Sequence, residues 1–231
     1  MNCSIDPVAE CSVLVSFDCE SSKSLSLQIG ACATAILESH SDWIMNITPS
    51  YRTILVDYLP HRVSLANLIQ SIEQTLKRLE ASPFPEKESI VLPAFYDEST
   101  GPDLYRYFND GLSLKQIIEL HTQQTYTVSA IGFAPGFAFL TSVHSTLQKP
   151  RLDTPRVSVA KGSIAIANNQ TAVYPNQSPG GWNIIGNCPI PLYNPLEQPM
   201  TPFSIGSIVR FKSVSKEAFL SLGGVIPGKD V

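Results

Sequence analysis

The uneven distribution of glycine and proline constrains the fold of this chain more than any other feature. Residues 132–231 contain 10 of the 13 glycines and 11 of the 18 prolines. Many short strands punctuated by these two residues are typical of a barrel or a sandwich, not of βαβ repeats. Six β-type runs fit that pattern: Tyr126–Ile131, Arg156–Val159, Ser163–Ala167, Thr171–Tyr174, Trp182–Ile185 and Ser207–Phe211.

Residues 1–86 show a different pattern, in which strands alternate with longer amphipathic segments. Ser12–Phe17 and Thr53–Tyr58 are β-rich runs, and Ser64 is a candidate N-cap for a helix. Alternating strands and helices suggest a small two-layer α+β sandwich. Apolar residues recur at helical spacing in two segments, at Leu25, Ile29, Cys32, Ala33, Ile36 and Leu37 and at Leu65, Leu68, Ile69, Ile72, Leu76 and Leu79.

Two prolines mark the expected boundary between these regions. Pro83 and Pro85 have the character of a linker, and we therefore predict one domain over residues 1–86 and another over residues 87–231. The fold class predicted for the whole chain is α+β.

The second domain is predicted to open with a strand and two short helices. Ile90–Phe95 is an apolar strand candidate. Pro102 is expected in the first turn of one helix, because proline is favoured there. Ser113, with Gln116 three residues later, predicts a capping box at the start of the other.

The composition excludes several classes of protein. With 43% hydrophobic and 16% charged residues, the chain can bury a core and differs from disordered sequences. It has no apolar run of about 18 residues, as a membrane span needs, and its first residues lack a signal-peptide pattern. Five cysteines without a C-x-x-C pair fit reduced thiols and give no zinc signature. We therefore expect a cytoplasmic protein without a metal site.

The charge is small and unevenly distributed. The net charge is −4, with eight basic and 16 acidic residues in 1–129 and eight basic and four acidic residues in 130–231. The basic excess of the second half fits a small anionic ligand or an acidic partner, and it fits two ordinary solvated surfaces equally well. It is too small to indicate a nucleic-acid partner.

Familiar catalytic motifs are absent from the sequence. It has no phosphate loop, no dinucleotide fingerprint, no H-E-x-x-H and no G-x-S-x-G, and its four histidines are scattered. Any nucleotide site must therefore be built in another way. Three unusual segments remain as candidates.

The first segment carries a turn within an aromatic run. Pro135 followed by Gly136 favours a type II turn, in which the glycine takes a positive φ. Phe133, Phe137 and Phe139 flank this turn. These rings fit a ligand site, and they also fit core packing around a hairpin.

The second segment contains four cations in residues 149–161. Arg151 and Arg156 are its guanidinium groups, and the intervening prolines keep the chain extended. Guanidinium groups suit bidentate binding of carboxylate or phosphate. The alternative is a solvated basic edge strand, which would discourage aggregation.

The third segment combines glycines with neutral hydrogen-bonding side chains. Gly180 and Gly181 would let the backbone approach a ligand closely. Gln170, Thr171 and Tyr174 could orient a small polar substrate. The alternative is a tight turn covered by the tryptophan that follows it.

Together, the motifs form an ordered set over nearly the whole chain. Upstream they are Tyr51–Val56, Gly101-Pro102-Asp103-Leu104, Glu119-Leu120-His121 and Tyr126. Downstream they are Gly132-Phe133-x-Pro135-Gly136-Phe137, Pro150-Arg151, Pro155-Arg156, Gly162-Ser163, Gln170-Thr171-x-x-Tyr174-Pro175 and Pro179-Gly180-Gly181-Trp182-x-x-Ile185-Gly186. Each motif is weak alone, but their order and spacing resemble the family of KipI and the 5-oxoprolinase B subunits. This family is also called allophanate hydrolase subunit 1 or carboxyltransferase subdomain C/D.

The resemblance implies a fold and an activity. It implies a ferredoxin-like N-terminal domain followed by a cyclophilin-like β-barrel. It also implies the B subunit of a 5-oxoprolinase complex, in which ATP, with or without Mg²⁺, phosphorylates the amide oxygen and water opens the lactam to L-glutamate. The ATP site would be shared with a partner subunit, and no tightly bound cofactor is expected.

The resemblance also implies partners, and it leaves alternatives. The expected partners are an A subunit of the LamB/YcsF type and a C subunit that is similar to allophanate hydrolase subunit 2; the chain would be inactive alone. The same motifs fit a KipI-type inhibitor of a sensor histidine kinase. They also fit a subunit of an allophanate- or urea-type amide hydrolase or carboxyltransferase.

Candidate site residues follow from the matched positions. Arg156, Gln170 and His121 are the candidates for the chemical step, although His121 also fits a structural histidine. The candidates for binding substrate or nucleotide are Phe133, Pro135, Gly136, Arg151, Gly162, Ser163, Thr171, Tyr174, Gly180, Gly181 and Trp182.

The chain departs from the family pattern at five further positions. Ala160 and Lys161 stand where relatives have proline and alanine, and Ala138 and Phe139 stand where they have proline and tyrosine. Asn187 stands where arginine is frequent. These departures leave the predicted fold intact and leave the choice of amide substrate open.

Overall fold

The computed structural model describes residues 2–18, 23–79 and 89–226. The chain divides into two compact units of mixed α and β structure, Met1–Lys87 with Ser204–Gly206 and Glu88–Phe203 with Ser207–Val231. The linker that we predict at Pro83 and Pro85 lies outside the described residues.

The first unit pairs four antiparallel strands in the order β1-β2-β4-β3. Burial alternates along β2 and β4, as expected for strands with one face in a core. Helix α1 packs against α2, β3 and β4. The elements are β1 (Cys3–Ala9), β2 (Ser12–Phe17), α1 (Lys23–Ser39), β3 (Ile44–Ser50), β4 (Thr53–Tyr58) and α2 (Leu65–Leu79).

Most predictions for this unit are confirmed. Strands β2 and β4 have the predicted bounds, and the Ser64 hydroxyl accepts a hydrogen bond from Asn67 N at 3.3 Å, as an N-cap does. The predicted apolar face of α1 is buried except at Leu37, which is 40% exposed, so that part of the prediction is wrong. Strand β1 is not predicted because Pro7 weakens its pattern, and a sheet edge tolerates proline.

The second unit is built mainly from short antiparallel strands. Seven of them run in the order β5-β13-β6-β7-β10-β9-β12, with only the β5–β13 pair parallel, and β8 pairs separately with β11. The strands are β5 (Ser89–Ala94), β6 (Tyr126–Ile131), β7 (Ala138–Thr141), β8 (Arg156–Val159), β9 (Ser163–Ala167), β10 (Gln170–Val173), β11 (Ser178–Gly180), β12 (Asn183–Asn187) and β13 (Ile208–Ser213). The helices are α3 (Leu104–Phe108), α4 (Leu114–Thr122) and α5 (Lys216–Ser221), with a 3₁₀ turn at Ser145–Leu147.

The two ends of this strand order meet at a single bridge. Phe95, directly after β5, and Asn187, at the end of β12, exchange two main-chain hydrogen bonds of 2.8 Å each. Every residue of β9 and β12 is buried, including the polar side chains of Ser163, Asn183 and Asn187.

The caps of the two helices test the sequence predictions directly. The capping box is confirmed: Ser113 Oγ accepts from Gln116 N at 3.3 Å, and Gln116 Oε1 accepts from Ser113 N at 2.9 Å. The expectation for Pro102 is wrong, because α3 begins at Leu104 with Asp103 as its N-cap. The Asp103 side chain makes no capping hydrogen bond, because its carboxylate is engaged elsewhere in the fold, as described below.

Within the described ranges, none of the helices is long and apolar enough to cross a membrane. The same residues contain no group of three or more His, Cys, Asp or Glu side chains placed to hold a metal ion. Cys3, Cys11, Cys32 and Cys188 are free thiols.

Candidate functional site

A small cavity in the second unit gathers residues from all three unusual segments. Its volume is about 90 Å³. It is lined by Phe133, Phe137, Phe139, Arg151, Tyr174, Gly180, Gly181 and Trp182. Six of these eight are predicted binding residues, and the structure brings them together from positions up to 49 apart in sequence.

A tight turn presents the aromatic wall. Phe137 N donates to Ala134 O at 3.0 Å, and Gly136 has φ 79°, as a type II turn requires; this prediction is confirmed. Pro135 lies exposed at the tip of the turn. Phe133 also has a positive φ, of 72°, and its side chain is 65% exposed. A bulky residue in this conformation is strained, and such strain persists where the surrounding structure enforces it.

The wall is a cluster of edge-to-face rings. The Phe137 ring lies 5.2 Å from Tyr174 and 5.7 Å from Trp182, with interplanar angles of 81° and 89°. Phe139 lies 4.9 Å from Phe137. This T-shaped geometry is the one that ring quadrupoles favour. Phe137, Tyr174 and Trp182 are almost fully buried in a core cluster, so the floor of the cavity is firmly supported.

Two polar groups face this apolar wall. The Arg151 side chain is exposed, and its Cζ lies 5.9 Å from the centre of the Trp182 ring, a cation–π contact. Burial raises the pKa of the Tyr174 hydroxyl, while a hydrogen bond from the main chain of Trp182 and the charges of Arg151 and Arg156 oppose that rise. A Cβ at Gly180 would overlap this hydroxyl, so glycine is needed there.

Arg156 lies beside the cavity and not in its lining. Its Nη2 donates to Asp103 Oδ1 at 2.7 Å, and Asp103 is only 1% exposed. Oδ2 of the same carboxylate accepts from Ile184 N at 2.7 Å. Arg156 Nη1 is buried and has no hydrogen-bond partner. Since Arg156 pairs with Gly180 across β8 and β11, the ion pair anchors the ribbon that carries one wall of the cavity.

Gly162 and Ser163 hold the main chain of Tyr174. Gly162 N donates to Tyr174 O at 2.7 Å, and Tyr174 N donates to Ser163 O at 2.9 Å. Both residues are buried and do not line the cavity. Their contribution to the site is therefore to position the tyrosine.

His121 and Thr171 belong to a separate, closed network. His121 Nε2 lies 3.0 Å from Thr171 Oγ1, and Nδ1 lies 2.7 Å from the Tyr96 hydroxyl. Thr171 donates its own proton to Ala165 O at 3.0 Å, so it must accept from Nε2–H, and Nδ1 must accept from Tyr96. These bonds fix the neutral Nε2–H tautomer of the imidazole.

The surroundings of His121 keep it neutral. Its exposure is 0%, and burial lowers its pKa to about 3. The Phe211 ring lies 4.4 Å away and the Tyr126 ring 5.3 Å away. A buried imidazole that is saturated with hydrogen bonds has no access to a substrate proton, so we leave His121 and Thr171 out of the proposed site.

Gln170 is partly buried in β10, where it pairs with Thr141 on one side and Ala167 on the other. It is not one of the residues that line the cavity. Its catalytic role stays a prediction from the sequence.

One of the sequence departures, Phe139, lies in the site itself, and the others lie outside the cavity lining. Phe139 lines the cavity at a position where a tyrosine would add a hydroxyl, so the wall here is wholly apolar. Asn187 is 8% exposed and its Nδ2 donates to Lys161 O at 3.0 Å, next to the bridge with Phe95. Ala138 is buried in β7, whereas Ala160 and Lys161 are exposed in the turn before β9.

Sequence reasoning misses three residues of the site. Phe137 and Phe139 flank the predicted turn but are not among the predicted binding residues, although residues two apart in an extended segment share a face, which marks these rings as partners. Asp103 is predicted only as part of a motif. No local signal marks its role, because its partners Arg156 and Ile184 lie 53 and 81 residues away.

Comparison with known proteins identifies the family. Residues 3–203 match the model of the carboxyltransferase domain, subdomain C and D, and the chain therefore belongs to this family. It is 30% identical over 226 residues to the 5-oxoprolinase B subunit of Bacillus subtilis, covering 93% of this chain and 94% of that protein. It is 32% identical over 214 residues to the 5-oxoprolinase B subunit of Haemophilus influenzae, covering 90% and 96%.

Solved structures have the same fold. TTHA0988 superposes with a TM-score of 0.79 at 29% identity over 94% of this chain, which spans 41% of that longer chain. PH0987 of Pyrococcus horikoshii has a TM-score of 0.55 at 32% identity, covering 94% of this chain and 100% of that one. The urea carboxylase of Kluyveromyces lactis, with a TM-score of 0.64 and 14% identity, shows the fold alone.

Proposed function

We propose that this chain is the B subunit of a 5-oxoprolinase-type complex that opens the 5-oxoproline lactam to L-glutamate with consumption of ATP. The observation that carries the proposal is the match to two bacterial 5-oxoprolinase B subunits along more than 90% of their length. The similarity therefore extends over nearly the whole of each of these relatives and is not confined to a shared module.

The chemistry of the residues in and around the cavity supports the same proposal. A five-membered lactam presents two apolar faces, an amide and a carboxylate. Aromatic rings such as Phe137 and Trp182 cover flat faces, and a guanidinium such as Arg151 pairs with a carboxylate. Gln170, Arg156 and the main-chain groups near Gly180 and Gly181 are then the candidates for orienting the amide as charge develops on its oxygen.

ATP and the partner subunits complete this proposal. Phosphoryl transfer to the amide oxygen, with Mg²⁺ on the phosphates, would activate the carbonyl carbon of the lactam for attack by water. The described residues contain no phosphate loop, and the cavity is several-fold smaller than the ~300 Å³ or more of typical ligand pockets. We therefore infer that ATP binds largely on the A or C partner. We also propose that the chain is inactive alone and that the complex works in the cytoplasm.

The finer fold assignment is part of the proposal. We infer a ferredoxin-like domain over residues 1–86 and a cyclophilin-like barrel over residues 87–231. Support for barrel closure comes from the paired hydrogen bonds between Phe95 and Asn187, which join the two ends of the strand order in the second unit. Support for the first assignment comes from the four antiparallel strands and two helices of the first unit.

Turnover in a reconstituted mixture tests the function. The chain is combined with its A and C partners, 5-oxoproline, ATP and Mg²⁺, and each protein is omitted in turn. We expect glutamate and phosphate only in the complete mixture, with Arg156→Ala and Gln170→Ala lowering the rate. No turnover despite a stable complex would indicate another amide substrate, and the absence of any complex would favour the inhibitor of a sensor histidine kinase.

A further inference from the structure

The cavity combines an apolar aromatic floor with one cation at its rim. Phe137 and Trp182 are 1% and 4% exposed, whereas Arg151 is exposed to solvent above the Trp182 ring. A ligand that enters would therefore meet apolar rings at one end and a single positive charge at the other. This arrangement fits a small amphipathic anion.

The size of the cavity restricts which part of a ligand it can hold. Its volume of about 90 Å³ is below the ~150 Å³ of a cavity that binds benzene. A saturated five-membered ring can therefore enter only in part, with its polar substituent at the rim. A purine with its ribose and phosphates is far too large.

Each polar group of the cavity is suited to a different part of the ligand. The Tyr174 hydroxyl accepts a hydrogen bond from the main chain of Trp182, so it keeps its own proton for donation to a ligand. The same hydroxyl lies against Gly180, another lining residue. Within the described residues, stacking on Trp182 is the contact that holds the Arg151 side chain. Its guanidinium can therefore turn towards a carboxylate.

We infer that this cavity is the subsite for the lactam and not for the nucleotide: the ring lies on Phe137 and Trp182, Arg151 binds the carboxylate, and the Tyr174 hydroxyl donates to the amide oxygen. Arg151 is then the residue that selects an amino-acid-derived lactam over a neutral cyclic amide. This inference rests on the proposed function, and it assigns to this chain the recognition of the lactam.

Trp182 provides a direct reporter of binding. The chain has two tryptophans, Trp43 and Trp182, and a Trp43→Phe background leaves Trp182 as the sole indole. Its fluorescence is titrated with L-5-oxoproline, with 2-pyrrolidone, which lacks the carboxylate, and with ATP. We expect saturable quenching by 5-oxoproline, at least tenfold weaker binding of 2-pyrrolidone, and no response to ATP at the same concentrations.

Two substitutions separate the roles of the polar groups. Arg151→Met should weaken 5-oxoproline at least tenfold and leave 2-pyrrolidone unchanged, whereas Tyr174→Phe should weaken both ligands by about fivefold. Arg210→Met is the matched control, because Arg210 is exposed on β13 and is not among the residues that line the cavity. Equal effects of Arg151→Met on both ligands, or quenching by ATP that 5-oxoproline does not displace, would overturn the inference.

If the fluorescence of the isolated chain does not respond to ligand, the same inference is tested in the complete complex. In the reconstituted mixture Arg151→Met should raise KM for 5-oxoproline at least tenfold and leave KM for ATP within twofold. A raised KM for ATP, or no change in either, would overturn the inference and leave the proposed function standing. Absence of turnover in every mixture that contains the unsubstituted chain would instead count against the proposed function.

Discussion

Two polar clusters of the second unit share the neighbourhood of β10 and are built in opposite ways. Around His121 every polar atom has a partner, the residues are buried, and the imidazole is held neutral. Around the cavity, Phe133 is strained and exposed, Arg151 faces solvent, and Arg156 keeps a buried nitrogen without a partner.

This contrast indicates which cluster stabilises the fold and which one is available for a ligand. A saturated buried network gains cooperative hydrogen bonds and loses stability when any member is removed. Strain and unmet hydrogen-bonding capacity cost free energy in the isolated chain, and they persist where a bound partner offsets them. We therefore expect substitutions in the closed cluster around His121 to lower the free energy of unfolding. Substitutions at the cavity should instead weaken ligand binding.

Removal of the His121 ring should have the largest effect on stability. His121→Ala leaves a space beside the Phe211 and Tyr126 rings. It also removes the hydrogen-bond partner of the buried Tyr96 and Thr171 hydroxyls. We expect a loss of about 4 kcal/mol in the free energy of unfolding. Urea denaturation followed by Trp182 fluorescence in the Trp43→Phe background measures this unit. A loss below about 1 kcal/mol would contradict a stabilising role for the network.

Thr171→Val is the matched control within the same network. It keeps the volume of the side chain but removes the acceptor of His121 Nε2–H, so about 2 kcal/mol should be lost. No loss for Thr171→Val would mean that packing at β10, and not the hydrogen bonds, dominates this region.

Removal of the Asp103 carboxylate should have the next largest effect. Asp103→Ala leaves the charge of Arg156 without its partner and the N–H of Ile184 without its acceptor. Because the Arg156 side chain is 30% exposed, we expect the free energy of unfolding to fall by about 2 kcal/mol, which is less than the loss for a fully buried ion pair. Asp103→Asn, which can still accept from Ile184, should lose about half as much. No loss for Asp103→Asn would show that the ion pair contributes nothing.

The pH dependence of stability sharpens the contrast. The pKa of His121 is about 3 in the native protein and 6.5 when unperturbed, so between these values the unfolded chain binds a proton that the native chain does not. Stability therefore falls as the pH decreases from about 6.5 towards 3, by up to about 1.4 kcal/mol per pH unit. His121→Gln should show a shallower slope between about pH 4 and 6. An unchanged slope would mean that other groups control this range.

The smallest change in stability is expected at the cavity mouth. Phe133→Asn places a residue that tolerates positive φ at a strained position, so the free energy of unfolding should change by less than about 1 kcal/mol. We expect Phe133→Asn to weaken ligand quenching of Trp182 all the same. A large loss of stability at Phe133 would make it a structural residue.

Much of the fold could be predicted from local pattern. The bounds of β2, β4, β6, β8 and β9 are the predicted ones, since alternation or an unbroken apolar run fixes each of them without help from distant residues. The capping box at Ser113 is equally local. Strands β1 and β3 are not predicted because Pro7 and Pro49 interrupt their patterns, and pairing with β2 and β4 outweighs that signal.

The family, the turn at Gly136 and most residues that line the cavity could be predicted from the sequence, because each depends on residue type and short spacing. The division of roles between the arginines and His121 became visible in the folded structure alone. Arg151 reaches the cavity and Arg156 is held by Asp103, 53 residues away, while Thr171 and Tyr96 saturate His121 from 50 and 25 residues away. The role of a polar side chain follows from its partners and its burial, and distant segments supply both.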